Sequence, residues 1–444
     1  MQSGQTTHVR YLVVLMLFIA STFSYGDRVV LSIAAVALSH DLGLNAIRLG
    51  YLFSGFGWAY ALAQLPAGGL LDRFGSKNIY GVSIFCWSVC ALLAGCSGYL
   101  PAVAAFYTLF ALRLLDGLAQ SPVFPGNGRI VAAWFPTSER GRASALFNSA
   151  QYFALVFFAP IMGWIVHLWG WKQCFWFAGA VGLILGGFWY RVIHGVQSHP
   201  RISQTEIDLI ERGGGLASLD AAGRRHVNTL TWSAVRWLLS KRMLVGIYIG
   251  QYCITTLTWF FLTWFPVYLS RARHIPIVKV GFLAALPALC GFIGGILGGV
   301  VSDELLRAGR TLTFARKAPI VVGMLLAMTM IACNYVGTRT AVVAIMALAF
   351  FGKGFGALGW TVVSDTSPKA LVGINGGLFN LIGNLAGVTT PIVIGYIVDR
   401  TGSFDGALFF VAAAALMAIV AYLPIVGEIK RLEVPSPLVP GANA

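Results

Sequence analysis

Long apolar segments separated by short polar connections occupy most of the 444-residue chain. Because about 20 apolar residues cross a bilayer as a helix, the chain has room for about a dozen such helices. Only 11% of its residues are charged, whereas about 25% are charged in a soluble domain, so a soluble fold is excluded. The predicted segments cover about residues 11–38, 48–71, 78–98, 102–134, 143–167, 173–195, 244–270, 280–303, 318–337, 340–366, 372–398 and 404–427.

An internal repeat divides the chain into halves. The ends of the second and eighth segments, GGLLDRFGSK and GVVSDELLRAGR, share the spacing Gly-x-x-x-Asp. The repeat predicts an all-α polytopic membrane protein with twelve transmembrane helices in two pseudo-symmetric six-helix halves. We expect these halves at 1–195 and 242–429, a cytoplasmic linker at 196–241 that contains a short surface helix at Gln204–Arg212, and a cytoplasmic tail at 430–444.

The repeated loop motif is interpreted as a structural latch, formed by Gly68, Asp72, Arg73 and Gly75 in the first copy and Asp303 in the second. Asp72 or Asp303 is expected to cap a neighbouring helix N-terminus, and the following basic residue to pair across it. The alternative is that these are ordinary residues of a basic cytoplasmic loop.

Basic residues account for the formal net charge of +15 and lie mostly in connections on one side of the predicted membrane. Such an excess marks the cytoplasmic side, so both termini are expected inside and nucleic acid is not an expected partner. The apolar run after the first ten residues lacks a cleavage site and predicts a retained first helix rather than a signal peptide. The seven cysteines lie in apolar stretches without a CxxC pair, so no metal site and no disulfide framework is expected.

The loop sequence GGLLDRFGSK resembles the signature of the major facilitator superfamily. Further motifs narrow the resemblance to its anion:cation symporter branch, and within it to the bacterial hexarate (D-glucarate and galactarate) permeases, with D-galactonate permeases as near cousins. This resemblance implies a twelve-helix alternating-access fold and proton-driven uptake of a sugar acid. It extends over nearly the whole chain, through the motifs YGDRVVLSIA, GYLFSGFGWAYALAQLPAG, FPGNGRIVAAWFP, FNSAQYFALVFFAPIMGW, TWFFLTWFP, VVSDTSPK and GGLFN.

Asp27 and Arg28 lie midway along the first segment, where ionisable residues are costly and indicate a functional site. Consecutive residues are about 100° apart on a helix, so the two side chains need not neutralise each other. An Arg offers a bidentate fork to a carboxylate, whereas an Asp in a poorly hydrated site can hold a proton near neutrality. The resemblance likewise implies that Arg28 contacts substrate and that Asp27 is linked to protonation. The alternative is a buried structural pair.

Arg113 lies midway along the fourth segment and shares a helix face with Gln120 and Asp116. The resembling symporters carry a proton-linked Glu where this chain has Gln120, which cannot ionise in the useful range. Three explanations remain open. Asp116 takes over the proton, Asp27 couples alone, or the chain is an engineered variant held as if protonated. Asp116 could also be only a local partner of Arg113.

Lys353 lies in the tenth segment, which occupies the same place in the second half as the fourth segment does in the first. The repeat places cations of the two halves across one central cavity, where Arg28, Arg113 and Lys353 could bridge a substrate with a carboxylate at each end; alternatively, Lys353 snorkels or pairs elsewhere. Tyr60, Gln151, Asn380 and Trp360 stand at family positions for ligand contact. The aromatic run Trp259, Phe260 and Phe261 could add an apolar wall.

The chain lacks the signatures of the other membrane-protein classes. No Walker motif indicates direct drive by ATP, no repeated polar filter indicates a channel, and no convergent His cluster indicates an enzyme. The sequence predicts a monomeric secondary transporter of the bacterial inner membrane, without a cofactor, that couples a small carboxylate substrate to protons. The alternative is a uniporter or exchanger of other organic anions, such as galactonate, a hexuronate or an aromatic carboxylate.

Overall fold

The structure, a computed structural model, describes residues 7–217, 219, 232–368 and 371–433. Every regular element in these residues is helical, and eleven helical segments are long and apolar enough to cross a membrane. The chain divides into two compact units, Met1–Gly43 with Trp58–Val227 and Leu44–Gly57 with Asn228–Ala444. Linker residues 220–231, Lys369 and tail residues 434–444 lie outside the described part of the chain.

The first unit contains the first predicted half without Leu44–Gly57, together with much of the linker. The first helix of this unit ends at Gly43, whose φ is +60°. Glycine adopts this left-handed conformation more readily than other residues do. Its helices are α1 (Val9–Leu42), the part of α2 (Ala46–Phe74) from Trp58 onward, α3 (Ser76–Cys96), α4 (Ala102–Gln120), α5 (Val123–Trp134), α6 (Arg140–Trp169), α7 (Trp171–Val192) and α8 (Gln204–Arg212).

Helix packing in the first unit places α1 along α6 and α3 along α7. Gly26 allows the first of these contacts, because a Cβ there would lie 2.7 Å from the ring of Phe158. The rings of Tyr80 and Trp189 stack at a centroid distance of 4.1 Å between α3 and α7. Small residues that let helices approach closely are typical of membrane proteins, where lipid is as apolar as the helix surface.

The predicted single segment at 102–134 consists of two helices, α4 and α5. The break falls at Ser121 and Pro122, and proline lacks the N–H that would continue the hydrogen-bond ladder. Apolar periodicity predicted the whole segment, but the proline ends α4 immediately after Gln120.

The short linker helix is confirmed as α8, with Ser203 as its N-cap accepting from the backbone N–H of Glu206. Glu206 is fully buried and caps α1, because its carboxylate accepts from the backbone N–H of Val9 at 3.1 Å and of Arg10 at 3.2 Å. Arg10 also pairs with Glu206 and Glu139, each at 3.1 Å. A stretch predicted as a surface helix is therefore fastened to the first unit by a buried carboxylate.

His199 packs beside this fastened stretch of the linker. Its ring lies 5.5 Å from that of Trp134 and 5.3 Å from that of His194, measured between centroids. Burial, and secondarily the neighbouring His194, lower the pKa of His199 below its ordinary value of 6.5. The imidazole of His199 is accordingly neutral at pH 7.

The second unit contains the remaining predicted segments, and four of these are interrupted by π-helical turns or short breaks. Five-residue π-helical turns lie at Phe260–Trp264 and Ala421–Ile425, and short breaks separate α14 from α15 and α16 from α17. Its helices are α9 (Trp232–Leu239), α10 (Arg242–Trp259), α11 (Phe265–Arg271), α12 (Ile277–Arg307), α13 (Leu312–Met328), α14 (Arg339–Phe355), α15 (Gly359–Thr366), α16 (Val372–Asn384), α17 (Ala386–Thr401) and α18 (Asp405–Val420).

Glycines set the closest helix contact of the second unit, between α12 and α14. A Cβ on Gly298 would collide with the backbone of Phe355, and one on Gly354 with the backbone of Gly291. Residues Leu44–Gly57, the start of α2, belong to this unit because they lie against α17. A Cβ on Gly50, for example, would lie 2.6 Å from the carbonyl oxygen of Pro391.

Candidate functional site

Six polar side chains of the first unit form one buried cluster between α1 and α4. None of the six residues, taken as a whole, exposes more than 6% of its surface, although two are arginines and two are aspartates. Residues three or four apart share a helix face, which explains why each helix contributes three members. The cluster consists of Ser24, Asp27 and Arg28 on α1 and Arg113, Asp116 and Gln120 on α4.

Arg113 joins the two acidic members of the cluster. Its Nη1 donates to Oδ2 of Asp27 at 3.1 Å and to Oδ2 of Asp116, one turn along its own helix, at 2.8 Å. Charge-assisted bonds of this kind are the stronger hydrogen bonds of proteins. Asp116 is thus a local partner of Arg113, and Asp27 is reached from the neighbouring helix.

Gln120 uses both ends of its amide within the cluster. Its Nε2 donates to Oδ1 of Asp116 at 2.8 Å and to Oδ2 of Asp27 at 3.3 Å. Its Oε1 accepts from the hydroxyl of Ser24 at 2.7 Å and from Nη2 of Arg28 at 3.4 Å. A carboxylate in this position would offer no donor to the two aspartates, so the amide fits these neighbours better than an ionised Glu would.

Arg28 lies between two tyrosine rings. Its guanidinium carbon is 4.6 Å from the ring centroid of Tyr25 and 5.0 Å from that of Tyr60. Stacking on aromatic faces stabilises a guanidinium in a poorly hydrated site. As predicted, Asp27 and Arg28 differ in their neighbours, although both reach Gln120.

The formal charges of the cluster balance when both aspartates are ionised, because Arg28 and Arg113 remain protonated. Binding of one proton by either carboxylate leaves the cluster with one excess positive charge. A site of this kind can bind a proton and an anion together, since each favours the binding of the other.

Of the other residues predicted in this unit, Tyr60 lies beside the cluster and Gln151 does not. Tyr60 is 3% exposed and faces Arg28. Gln151 is half-buried on α6, where its Nε2 donates to the carbonyl of Asn148 at 3.3 Å. Its contacts are those of an ordinary helix residue.

In the second unit, Lys353 is buried in the last turn of α14, with Nζ 5.3 Å from the ring centroid of Phe350. Asn380, on α16, accepts from Nδ2 of Asn384 at 3.1 Å. Trp360 is 48% exposed, and its ring meets that of Phe379 edge-on at 4.9 Å. Trp360 therefore offers a flat face that the described residues leave accessible.

The aromatic run of the seventh predicted segment packs inside the second unit. The ring of Phe261 lies tilted against that of Phe350 at a centroid distance of 4.2 Å, and Trp259 fills the space left by Gly387. Phe260 is fully buried within the π-helical turn. Helix packing covers all three rings in the conformation described, and the wall that they would offer to a ligand stays a prediction.

The prediction that Asp72 or Asp303 caps the N-terminus of a neighbouring helix is wrong. Gly75, with φ of +78°, precedes α3 without a side-chain cap, and Thr311 caps α13. Asp72 pairs instead with Arg129 of α5, whereas Arg73 lies over the ring of Phe74 at 5.1 Å. The conformation of Gly75 requires glycine, whereas a Cβ on Gly68 would meet no neighbour within 4 Å.

The second copy of the loop motif also forms an ion pair with a basic residue of another helix. Arg316 of α13 lies 3.3 Å from Asp303, and its Nε donates to Asp365 of α15 at 2.8 Å. Ser302 also accepts from Arg316 at 2.8 Å. The latch interpretation therefore agrees with the contacts, but the partners are Arg129 and Arg316 rather than a helix terminus.

Sequence reasoning missed several members of these networks. Ser24 belongs to the α1–α4 cluster, and Tyr25 packs against its Arg28. Ser24 could have been found because it lies three residues before Asp27 and four before Arg28. Arg129 and Arg316 had no comparable signal, since only tertiary packing brings them to the loop aspartates. Metal-ligating groups of three or more side chains are absent from the described ranges.

These features define a polytopic helical membrane protein with a buried, charge-balanced site in one unit. Residues 17–391 match the Major Facilitator Superfamily model, and the chain belongs to that family. The fold is accordingly the twelve-helix fold of these transporters, and the chain is a membrane transporter rather than an enzyme.

Curated relatives share most of their length with this chain. The probable galactarate/D-glucarate transporter GudP of Bacillus subtilis (strain 168) is 57% identical over 97% of this chain and 94% of its own length. The D-galactonate transporter of Escherichia coli O6:H1 is 38% identical over 95% and 97%. Among solved structures, that of a D-xylose-proton symporter matches with a TM-score of 0.71 at 13% identity, covering 95% of this chain and 98% of that one, and this likeness concerns the fold alone.

Proposed function

We propose that the chain is a secondary active transporter that takes up galactarate or D-glucarate together with protons by alternating access. The observation that carries this proposal is the buried network in which Arg113 and Gln120 each bond both Asp27 and Asp116. The identity of the sugar acid rests on the names of the relatives at 57% and 51% identity.

The proposed coupling follows from competition for Arg113. When both aspartates are ionised, they occupy the guanidinium, and an incoming carboxylate meets a cluster without excess charge. Protonation of Asp27 weakens its bond to Arg113 and leaves a positive charge that attracts the substrate. Asp116 keeps Arg113 in place through the same step. In this scheme Asp27 is the only residue that couples proton binding to substrate binding, and Gln120 donates a hydrogen bond to it without ionising.

Substrate recognition is proposed for the three buried cations and their neighbours. Arg28 and Arg113 offer planar forks to a carboxylate, and Lys353 is proposed to read the second carboxylate of a hexarate. Tyr60, Gln151, Asn380 and Trp360 are proposed to contact the hydroxyl groups or the carbon chain.

The proposed setting is the bacterial inner membrane, with the protein acting as a monomer and both termini in the cytoplasm. The excess of Lys and Arg in the connections on the side of the linker supports this orientation. The proposed domain division remains two six-helix halves joined by the linker at 196–241.

Uptake by proteoliposomes tests the function. Labelled galactarate, D-glucarate, galactonate and glucuronate are compared with and without an inwardly directed proton gradient. The proposal predicts accumulation of the two hexarates only with the gradient, and its loss when an uncoupler is added. Uptake that ignores the gradient would instead identify a uniporter or exchanger of organic anions.

A further inference from the structure

A cavity of about 670 Å³ lies within the second unit, at the end away from the linker. The chain leaves the linker at Arg242, and the π-helical turn and α11 carry it to Arg271, where the cavity begins. Three parts of the chain meet at this end. They are the connection after α11, the connection after α17, and Asn334, which precedes α14. The volume is within the usual range of about 300–1,000 Å³ for small-molecule sites.

Polar groups without partners line this cavity. Within the described part of the chain, the side chains of Arg271 and Asp399 make no hydrogen bond or ion pair. A half-buried guanidinium without an acceptor is costly, so the side chain of Arg271 points to an anionic ligand.

The wall of the cavity is held firmly. Arg273 donates to the hydroxyl of Tyr268 at 2.9 Å and to two backbone carbonyls that follow α13. Arg339 donates to the carbonyls of Arg273 at 3.2 Å and His274 at 3.1 Å. These bonds hold His274 at φ of +49°, a left-handed conformation that is uncommon for a residue other than glycine. The cavity is therefore preformed, and its other cation, Arg273, is committed to the wall.

We propose that this cavity is a second binding site for a polyhydroxylated carboxylate, separate from the α1–α4 cluster. Arg271 would receive the carboxylate through its planar fork, while the carboxylates of Asp399 and Asp405 would accept from hydroxyl groups. A plain carboxylate would satisfy Arg271 alone, whereas a sugar acid supplies both kinds of group. The choice of galactarate as ligand rests on the proposed function.

The two aspartates also discriminate against a phospholipid headgroup, the other anion available at a membrane surface. A headgroup with a phosphate and few hydroxyl groups would offer few hydrogen-bond donors to Asp399 and Asp405. The orientation proposed above places this cavity outside, where it would hold the sugar acid before transport.

Equilibrium binding of labelled galactarate to the full chain in neutral phosphatidylcholine nanodiscs tests this site. The parent should bind two equivalents, and Arg271→Gln and Arg113→Ala one each. Arg400→Gln is the matched control, because Arg400 is exposed in the last turn of α17 and does not line the cavity. In uptake, Arg271→Gln should raise KM about tenfold with the maximal rate unchanged. Arg271→Lys, which keeps the charge without the fork, provides a second variant should Arg271→Gln misfold.

The outcomes separate this site from the transport function. The second site would be overturned if the parent bound one equivalent of galactarate, which Arg113→Ala lost and Arg271→Gln kept. It would also be overturned if Arg271→Gln and Arg400→Gln had equal effects on binding. A parent that binds no galactarate would overturn it as well. Binding that persists in Arg113→Ala without proton-driven uptake by the parent would support the site and contradict the proposed function. Adipate, which has the same carbon chain without hydroxyls, should compete at least about tenfold more weakly in Arg113→Ala; equal competition would contradict recognition of hydroxyls.

Discussion

The guanidinium of Arg113 lies 3.1 Å from the carboxylate of Asp27 and joins α4 to α1 inside the first unit. Both side chains are about 7% exposed, so the pair is shielded from the solvent that would otherwise screen it. Breaking such a pair leaves an uncompensated buried charge, which is costly. A proton on Asp27 and an anion on Arg113 together remove that cost. This linkage between proton binding and anion binding is the basis of the proposed coupling.

Asp27→Asn should abolish accumulation of galactarate against its gradient while sparing exchange of labelled for unlabelled substrate. The amide cannot release a proton, so the variant would bind substrate without coupling. Counterflow and gradient-driven uptake, measured in the same proteoliposomes, separate the two activities.

The control is Asp41→Asn, on the same helix. Asp41 is exposed and accepts from Nε1 of Trp171 at 2.8 Å, a bond that an amide oxygen can keep. Normal proton-driven accumulation by Asp27→Asn would remove this residue from the mechanism.

Arg28→Lys and Arg113→Lys should each bind galactarate as poorly as the corresponding alanine variants. Lysine keeps the charge, but it cannot offer a planar fork or stack between the rings of Tyr25 and Tyr60 as Arg28 does. The expected loss of affinity is about tenfold or more, measured by equilibrium binding. Affinities equal to that of the parent would show that the charge alone suffices.

Gln120→Glu should make the protein less stable as pH rises. The introduced carboxyl must hold a proton to donate even one of the two bonds that Nε2 makes to Asp27 and Asp116, and once ionised it would repel both. Loss of that proton at higher pH therefore lowers the stability of the variant relative to the parent. Melting temperatures measured across pH test this, and curves that stay parallel would contradict the donor role of Gln120. Uptake by the same variant should depend more steeply on pH.

Glu206→Gln should lower the melting temperature by several degrees. Its carboxylate accepts from two backbone N–H groups at the start of α1 and from Arg10, and an amide nitrogen would face those donors with another donor. The expected cost is about 1–3 kcal/mol. The control is Glu211→Gln, an exposed position on the same helix, which should change little. Equal melting temperatures for the two variants would show that the Glu206 contacts contribute nothing.

The described structure shows which features hydropathy and spacing could predict. The apolar segments, the short helix at Gln204–Arg212 and the face shared by Arg113, Asp116 and Gln120 follow from local periodicity, so the sequence was sufficient for them. The partners of Glu206, Asp72 and Asp303 were not predicted, because each depends on a contact between helices far apart in sequence. The covering of the aromatic run by helix packing was missed for the same reason.

Lys353→Ala or Lys353→Asn should weaken binding of galactarate or D-glucarate by about ten- to a hundredfold while changing binding of galactonate little. The proposed role of the ammonium is to meet the second carboxylate, which a monocarboxylate lacks. Competition binding with the acids measured in parallel gives the comparison. Equal losses for mono- and dicarboxylates would make Lys353, which is buried beside Phe350, a structural residue.

Proton movement that accompanies the substrate tests the central claim most directly. Galactarate is added to lightly buffered, de-energised proteoliposomes while the pH outside is recorded. Proton-coupled symport predicts that the medium becomes alkaline as galactarate enters, and that Asp27→Asn abolishes this change. Entry of labelled galactarate into parent proteoliposomes with no change in external pH would contradict the account.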